Sequence, residues 1–431
     1  MSARAGRPSI LRMGLIASAV TGGLLVALVL YLTRPFPEPV WVEASNPVSI
    51  YQHDSQLEDN GDGIPVVSPF HLQTDPMQSL LLINFEQDPD SVYVGFEPQS
   101  FDDEIHGRGM LVLGWRRDGR VDVFHEPALR LNARTYAIAG QGLHLMAPRL
   151  FGEAAFELGP GGAQLDIAFH DLEDRRIQLV IRETDERPRN PFGLLAPMGS
   201  DTADPPALPL VHVDGFYFVR RAGSEVLINI DGRGHRSDPI PLVLDGARVH
   251  FLRYSMDPFI AFWNPDWAVA ARVLEPSADP TRDGMTAFAD GVHYDLVSNG
   301  SFTEIQRMLR RQGSRTVRVD FSPALPHLLA LAEDVVATGD FRVTAQPAVG
   351  SVTGHWRVAR EGNTLHLKVR PEGGWTPGPV PRMARLLFRG VSMFREWPAT
   401  YVWQGRLEHP APDAPADVAL AFESSWQRVA P

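Results

Sequence analysis

The chain has 431 residues, 44% of them hydrophobic and 21% charged, with a formal charge of −12. It has no cysteine, which excludes disulfides, thiolate catalysis and cysteine-bound metal. Lys368 is its single lysine, which leaves Schiff-base chemistry one candidate and a Gly-Lys phosphate loop none.

Residues 1–34 carry Arg4, Arg7, Arg12 and Arg34 and no acid, leaving 36 basic against 52 acidic residues, a formal −16, in the rest. Such a surface repels phosphate backbones and anionic headgroups, so nucleic acid is not expected as a partner, although the sum would hide a local basic patch. Met13 to Leu32 holds twenty residues without a charge. At 1.5 Å per residue a helix of that length spans the ~30 Å hydrocarbon layer. A cleaved signal peptide would have a shorter apolar region and a small-x-small site, and Leu32-Thr33-Arg34-Pro35-Phe36-Pro37 offers none. The expectation is an uncleaved transmembrane anchor over 13–32 after a basic cytoplasmic tail (1–12). A proline-rich stalk (33–44) follows, and the bulk of the chain is extracytoplasmic.

From Met77 onward the dominant period is two. It places Val121 with Val123, Ile177 with Leu179 and Ile181, Val226 with Ile228 and Ile230, Val317 with Val319 and Phe321, and Leu365 with Leu367 and Val369. This alternation marks half-buried strands. Asp118-Gly119, Ala222-Gly223 and Glu361-Gly362-Asn363 lie between such runs and read as hairpin turns, because glycine accepts positive φ. An antiparallel meander, barrel- or sandwich-like, follows from sequential hairpins.

About three short helices are expected in the second half. Ser301-Phe302-Thr303-Glu304 fits a capping box, with Phe302, Ile305, Met308 and Leu309 as an apolar stripe and Gly313 as a stop. A second helix is expected over 324–337 and a third over 381–389. Pro, Asp and Gly accumulate over 276–289 and predict a linker between an all-β domain (45–275) and a β-rich domain with helices (290–425). Arg187 to Pro209, with six prolines, predicts a long loop.

The densest polar cluster is Phe101-Asp102-Asp103-Glu104-Ile105-His106-Gly107-Arg108-Gly109. Asp102, Asp103 and His106 could serve as acid and base, and Asp102, Glu104 and His106, with His125 and Glu126 folded back from the next strand, could bind a divalent ion. The competing reading is a solvated loop. Glu58 to Gly63 resembles a calcium loop, but Pro69 stands where a bidentate Glu belongs. Phe259, Phe262, Trp263 and Trp267 pack four aromatics into nine positions and read as core or, if exposed, as a platform for a sugar ring or lipid chain. Arg382, Arg385 and Arg389 would line one side of the third helix, either as an ordinary surface or as a lipid contact.

No nucleophile elbow and no HExxH zinc motif is present, and no nicotinamide, flavin, pyridoxal phosphate or P-loop nucleotide signature occurs. The meandering strands are similar, at the level of fold, to tandem lipocalin-like hydratases and binding proteins. The Trp-Trp-Tyr type signature of that group is missing, so the likeness carries no residue across. The expected function is membrane-anchored, extracytoplasmic binding of a lipid-like or glycan ligand without catalysis, or an envelope scaffold. The alternative is an envelope hydrolase or isomerase using Asp and His side chains.

Overall fold

The period-two runs form strands. The computed structural model describes residues 41–51, 64–152, 154–185, 187–196, 202, 204–256, 258–268, 270–278, 284–300, 302–346, 348–378, 396–408 and 420–429, with Ala27 and Tyr31. Among them no helix is long and apolar enough to cross a membrane. The rest of Met13–Leu32, the whole of the 58–63 acidic turn and the helix expected over 381–389 lie outside the described residues.

The C-terminal part is a ten-stranded antiparallel sheet in which every strand pairs with its sequence neighbour, from Ser277–Ala278 to Phe422–Arg428. Gly362 makes the expected hairpin between Ser351–Glu361 and Thr364–Thr376, with φ of 58°. Its inner side chains, such as Val352, Trp356, Leu365, Leu367 and Val369, are buried while their neighbours face out.

The helices expected in this region are not formed where described. Phe302–Gln312 is a strand, and 324–337 holds the end of one strand, a single 3-10 turn at Leu328–Ala330 and the start of another strand. The reason is a β-bulge. Pairing shifts from Ile305↔Leu325 to Arg307↔Asp320, so Ile305 and Met308 are buried three residues apart and imitate a helical stripe. Glu304 forms no capping box. Its buried carboxylate accepts from Asn46 Nδ2 at 3.0 Å and Asn299 Nδ2 at 2.7 Å, and from the Tyr51 hydroxyl.

The N-terminal part contains an eleven-stranded sheet. Its path runs Leu72–Pro76, Phe259–Trp263, Leu208–Arg220, Ala247–Ser255, Ser79–Asn84, Tyr93–Asp103, Gly107–Arg116, Val121–His125, Leu143–Pro148. Part of the expected 187–209 loop is a strand, Phe192–Ala196, beside Leu208–Arg220. The Ala222-Gly223 turn is not a hairpin. Leu208–Arg220 stays in the large sheet, whereas Ser224–Ile230 pairs with Arg176–Glu183 in a separate five-stranded sheet. The turn carries the chain from one sheet to the other.

The large sheet is buried on both faces. Leu111, Leu113, Val121 and Val123 join a core shared with the ten-stranded sheet, while Met110, Val112 and Phe124 pack with Leu165, Ile167, Ile177 and Leu179 of the five-stranded sheet. Hence Asp122, which alternation predicts to face solvent, is fully buried. It accepts from Arg116 Nη1 at 2.9 Å, His144 Nδ1 at 2.6 Å and the Tyr93 hydroxyl at 3.1 Å.

The two large sheets meet at an aromatic joint. The Phe70 ring lies 5.8 Å from Trp263, 5.5 Å from Phe321 and 5.4 Å from Trp403. Trp263 lies 4.9 Å from Phe341, and Trp426 Nε1 donates to the carbonyls of Trp263 and Asn264, both at 3.0 Å. N-terminal aromatics thus fill the inner face of the C-terminal sheet. Phe70→Ala should lower unfolding free energy by about 3–5 kcal/mol, the usual cost of a buried Phe cavity. Urea titration checks this, and a loss below ~1 kcal/mol would mean that the joint does not hold the sheets together.

Candidate functional site

Strand Leu72–Pro76 forms the floor of a half-open cleft of about 450 Å³ between the two large sheets. The turn bearing Ile105 and His106, with Arg130, Asn132 and Thr135, makes one wall. Phe262 and Trp267 make a second, and Asp290, Val292, Tyr294, Arg272 and Arg310 close the third.

His106 is placed by its own turn. Asp103 Oδ1 accepts from the backbone N–H of Ile105 and of His106, both at 2.8 Å, and Gly107 takes φ of 87° so that the hairpin can close. Arg130 braces the turn from outside, donating to the Ile105 carbonyl at 3.0 Å and the Glu104 carbonyl at 2.6 Å. The imidazole, 4% exposed, then lies between two carboxylates. Nδ1 is 3.0 Å from Asp103 Oδ2 and Nε2 is 2.7 Å from Asp75 Oδ1. The Asp75 contact is an ion pair more than an aligned hydrogen bond, since Asp75 Oδ1 has no hydrogen-bond partner by angle. Burial alone would lower the pKa of His106, but Asp75 and then Asp103 raise it above the usual histidine value. Carboxylates at both nitrogens favour the doubly protonated ring.

The aromatic wall is held by hydrogen bonds. Trp267 Nε1 donates to Gln73 Oε1 at 2.8 Å, and the half-buried Trp267 ring meets Phe262 edge-on at 5.5 Å. On the facing sheet Arg310 donates to Thr74 Oγ1 at 3.4 Å and to the Asp290 carbonyl, and Arg272 pairs with Asp290 at 2.5 Å. Burial lowers the Arg310 pKa. Gly291 takes φ of 75°, a conformation that favours glycine, and a Cβ there would push the Arg310 guanidinium aside.

Behind Asp75 lies a cavity of about 20 Å³, room for one water. Glu97, Gln99, Trp115, Thr135 and Tyr136 line it, and Asp75 and Thr135 line both spaces. Glu97 accepts from Gln99 Nε2 at 2.8 Å and Trp115 Nε1 at 3.0 Å. Burial pushes its carboxyl up to about 7, against the pull of those donors.

Of the residues singled out by sequence, His106, Asp103, Phe262 and Trp267 come together around this cleft. Asp102 and Glu104 are exposed on the outside of the turn. His125 Nδ1 donates to the Glu126 carbonyl at 2.9 Å, and Glu126 Oε2 accepts from the Met110 N–H at 2.8 Å, which spends both on closing the strand end. Among the described residues no three His, Asp or Glu side chains are arranged to hold a metal, so Asp102, Glu104, His106, His125 and Glu126 form no ligand set. Phe259, stacked on His212 at 4.6 Å, and Trp263 are core. Sequence reasoning missed Gln73, Asp75, Glu97, Arg272 and Arg310, which come from distant segments and meet only through the topology. No protein-family model matches the chain, and no curated protein or solved structure is significantly similar to it.

Glu97 and His106 set a pH dependence. A carboxyl whose folded pKa is raised from an unfolded value near ~4.3 stabilises the fold fully below that value, and the contribution is lost as pH rises through about 7. His106, also raised, contributes fully below ~6.5 and is lost at higher pH. Relative to Glu97→Gln, the native chain should lose on the order of 3 kcal/mol between pH ~4.5 and ~7. Urea titrations across that window test this, and parallel curves for the two chains would refute it.

Proposed function

We propose that the chain binds a glycan-like ligand in the cleft between its two large sheets. The observation that carries this reading is the pairing of a Trp267–Phe262 wall with Gln73, Thr74, Asn132, Thr135 and Arg310 in one half-open space. A sugar offers an apolar ring face and a rim of hydroxyls, and such a lining matches both. A lipid chain calls for an enclosed apolar cavity, and the inner face of the ten-stranded sheet is occupied by Phe70 and Trp263. The reading keeps the body of the chain extracytoplasmic and tethered by Met13–Leu32, supported by the arginines before that run and the long basic-free stretch after Arg34.

A second reading is favoured by one observation, the imidazole held between Asp75 and Asp103 in the same cleft. A buried imidazole flanked by two carboxyl groups at a ligand site is the equipment of an acid–base hydrolase or isomerase.

Native mass spectrometry of the full chain with a panel of neutral oligosaccharides tests the first reading. A sugar adduct is expected, weakened about ten-fold by Trp267→Ala, the equivalent of a stacking contact worth ~1.4 kcal/mol. Adducts with fatty acids instead, or binding indifferent to Trp267→Ala, would overturn it. Product masses that appear with the native chain and vanish with His106→Gln, while the adduct persists, would establish the second.

A further inference from the structure

On the outer face of the ten-stranded sheet, Thr338, Arg357, Lys368, Gln404 and Ser425 stand in register across five strands, all exposed. Arg357 and Lys368 are direct cross-strand partners, and Arg370 follows two residues along on the same face. Like charges directly opposite one another destabilise a sheet, so this arrangement does not serve the fold. Five acids share this face: Asp340, Glu361, Glu372 and Glu408 lie against His355, His366 or Arg406, and exposed Glu423 is the cross-strand partner of Arg406. Asp340 and Glu372 both hold His355, at 2.6 Å each, and Glu408 holds Arg406 at 2.7 Å. Among the described residues Arg357, Lys368 and Arg370 have no hydrogen-bond or ion-pair partner.

The segment that follows the apolar run reaches the same face. Trp41 packs against Arg342, 5.0 Å from guanidinium carbon to ring centre, and Arg342 alternates with the inward Phe341 and Val343. The Val42 carbonyl accepts from Ser322 Oγ at 2.6 Å, and Ser322 Oγ accepts from the Ala44 N–H at 3.1 Å. The Arg342 and Arg370 strands lie two apart in the sheet, ~10 Å at the usual strand spacing. Eight residues separate Leu32 from Trp41, a reach of ~30 Å when extended.

We propose that this face docks on an anionic lipid surface, with Arg357, Lys368 and Arg370 contacting phosphate headgroups. The inference rests on reading Met13–Leu32 as a tether, since the tether brings the Arg357–Lys368–Arg370 group to the bilayer. Headgroup phosphates supply a counter-charge to the three cations.

Lys368, as the single lysine, is its own reporter. The full chain is mixed with vesicles of phosphatidylcholine alone or with added phosphatidylglycerol, floated, and treated with an amine-acylating reagent, and peptide mapping separates Lys368 from the N-terminus. Flotation with neutral vesicles reads the tether. Slower acylation on the anionic vesicles reads the patch, about five-fold for each docked charge. The protection should vanish with R357Q/R370Q, and at ~0.5 M salt, where the screening length is ~4 Å. Equal acylation on both vesicle types by a chain that floats with both would overturn the docking and leave the tether standing. Failure to float with neutral vesicles would overturn the tether, and flotation with anionic vesicles that is lost in R357Q/R370Q would then sustain the patch alone. Protection by soluble polyphosphate but not by anionic vesicles would overturn the lipid assignment.

Discussion

The aromatic joint of Phe70, Trp263, Phe341, Trp403 and Trp426 is the contact on which the rest of the molecule depends. Neither large sheet can leave its apolar face in water, and each closes the other. The cleft is a by-product of that closure. Its floor belongs to one sheet, its far wall to the other, and Arg310 reaches across to Thr74. Loosening the joint would therefore change the spacing of the cleft before it changed any side chain that lines it.

Strand content was readable because alternation is a local property, and the antiparallel C-terminal meander follows from hairpin turns such as Gly362. Helix reading failed at Phe302–Gln312 because a bulge replaces the period of two by a step of three. It failed to see the burial of Asp122 because one-sided alternation carries no information about a second covering sheet. The candidate site was half legible. The acidic turn announced His106, and the aromatic cluster announced Trp267, since both are dense in sequence. Asp75 and Glu97 gave no such signal. Each is a single carboxyl in an ordinary strand, and only pairing across long separations brings them to the imidazole.

Charge shows the same division between sum and place. A formal −12 predicts repulsion from anionic surfaces, yet the sheet brings Arg357, Lys368 and Arg370 together on one face with no ion-pair partner of their own among the described residues. Inside, the acidic groups carry the opposite lesson. Burial raises the Glu97 carboxyl, while Asp75 and Asp103 flank the buried His106 imidazole and raise its pKa. Composition constrains the total and leaves the distribution to the fold.

The two large sheets also differ in when they can be completed. In the ten-stranded sheet each strand finds its partner next in the chain, so every pairing is sequence-local compared with the closure of the N-terminal sheet. Among the described residues Leu72–Pro76, by contrast, pairs with Phe259–Trp263 alone, which leaves the ribosome much later. The floor of the cleft stays unpaired while the 182 residues between the two strands are made, and the aromatic joint cannot form until the last strand, which carries Trp426, has been made. A chain built this way acquires its ligand site at the end of its assembly.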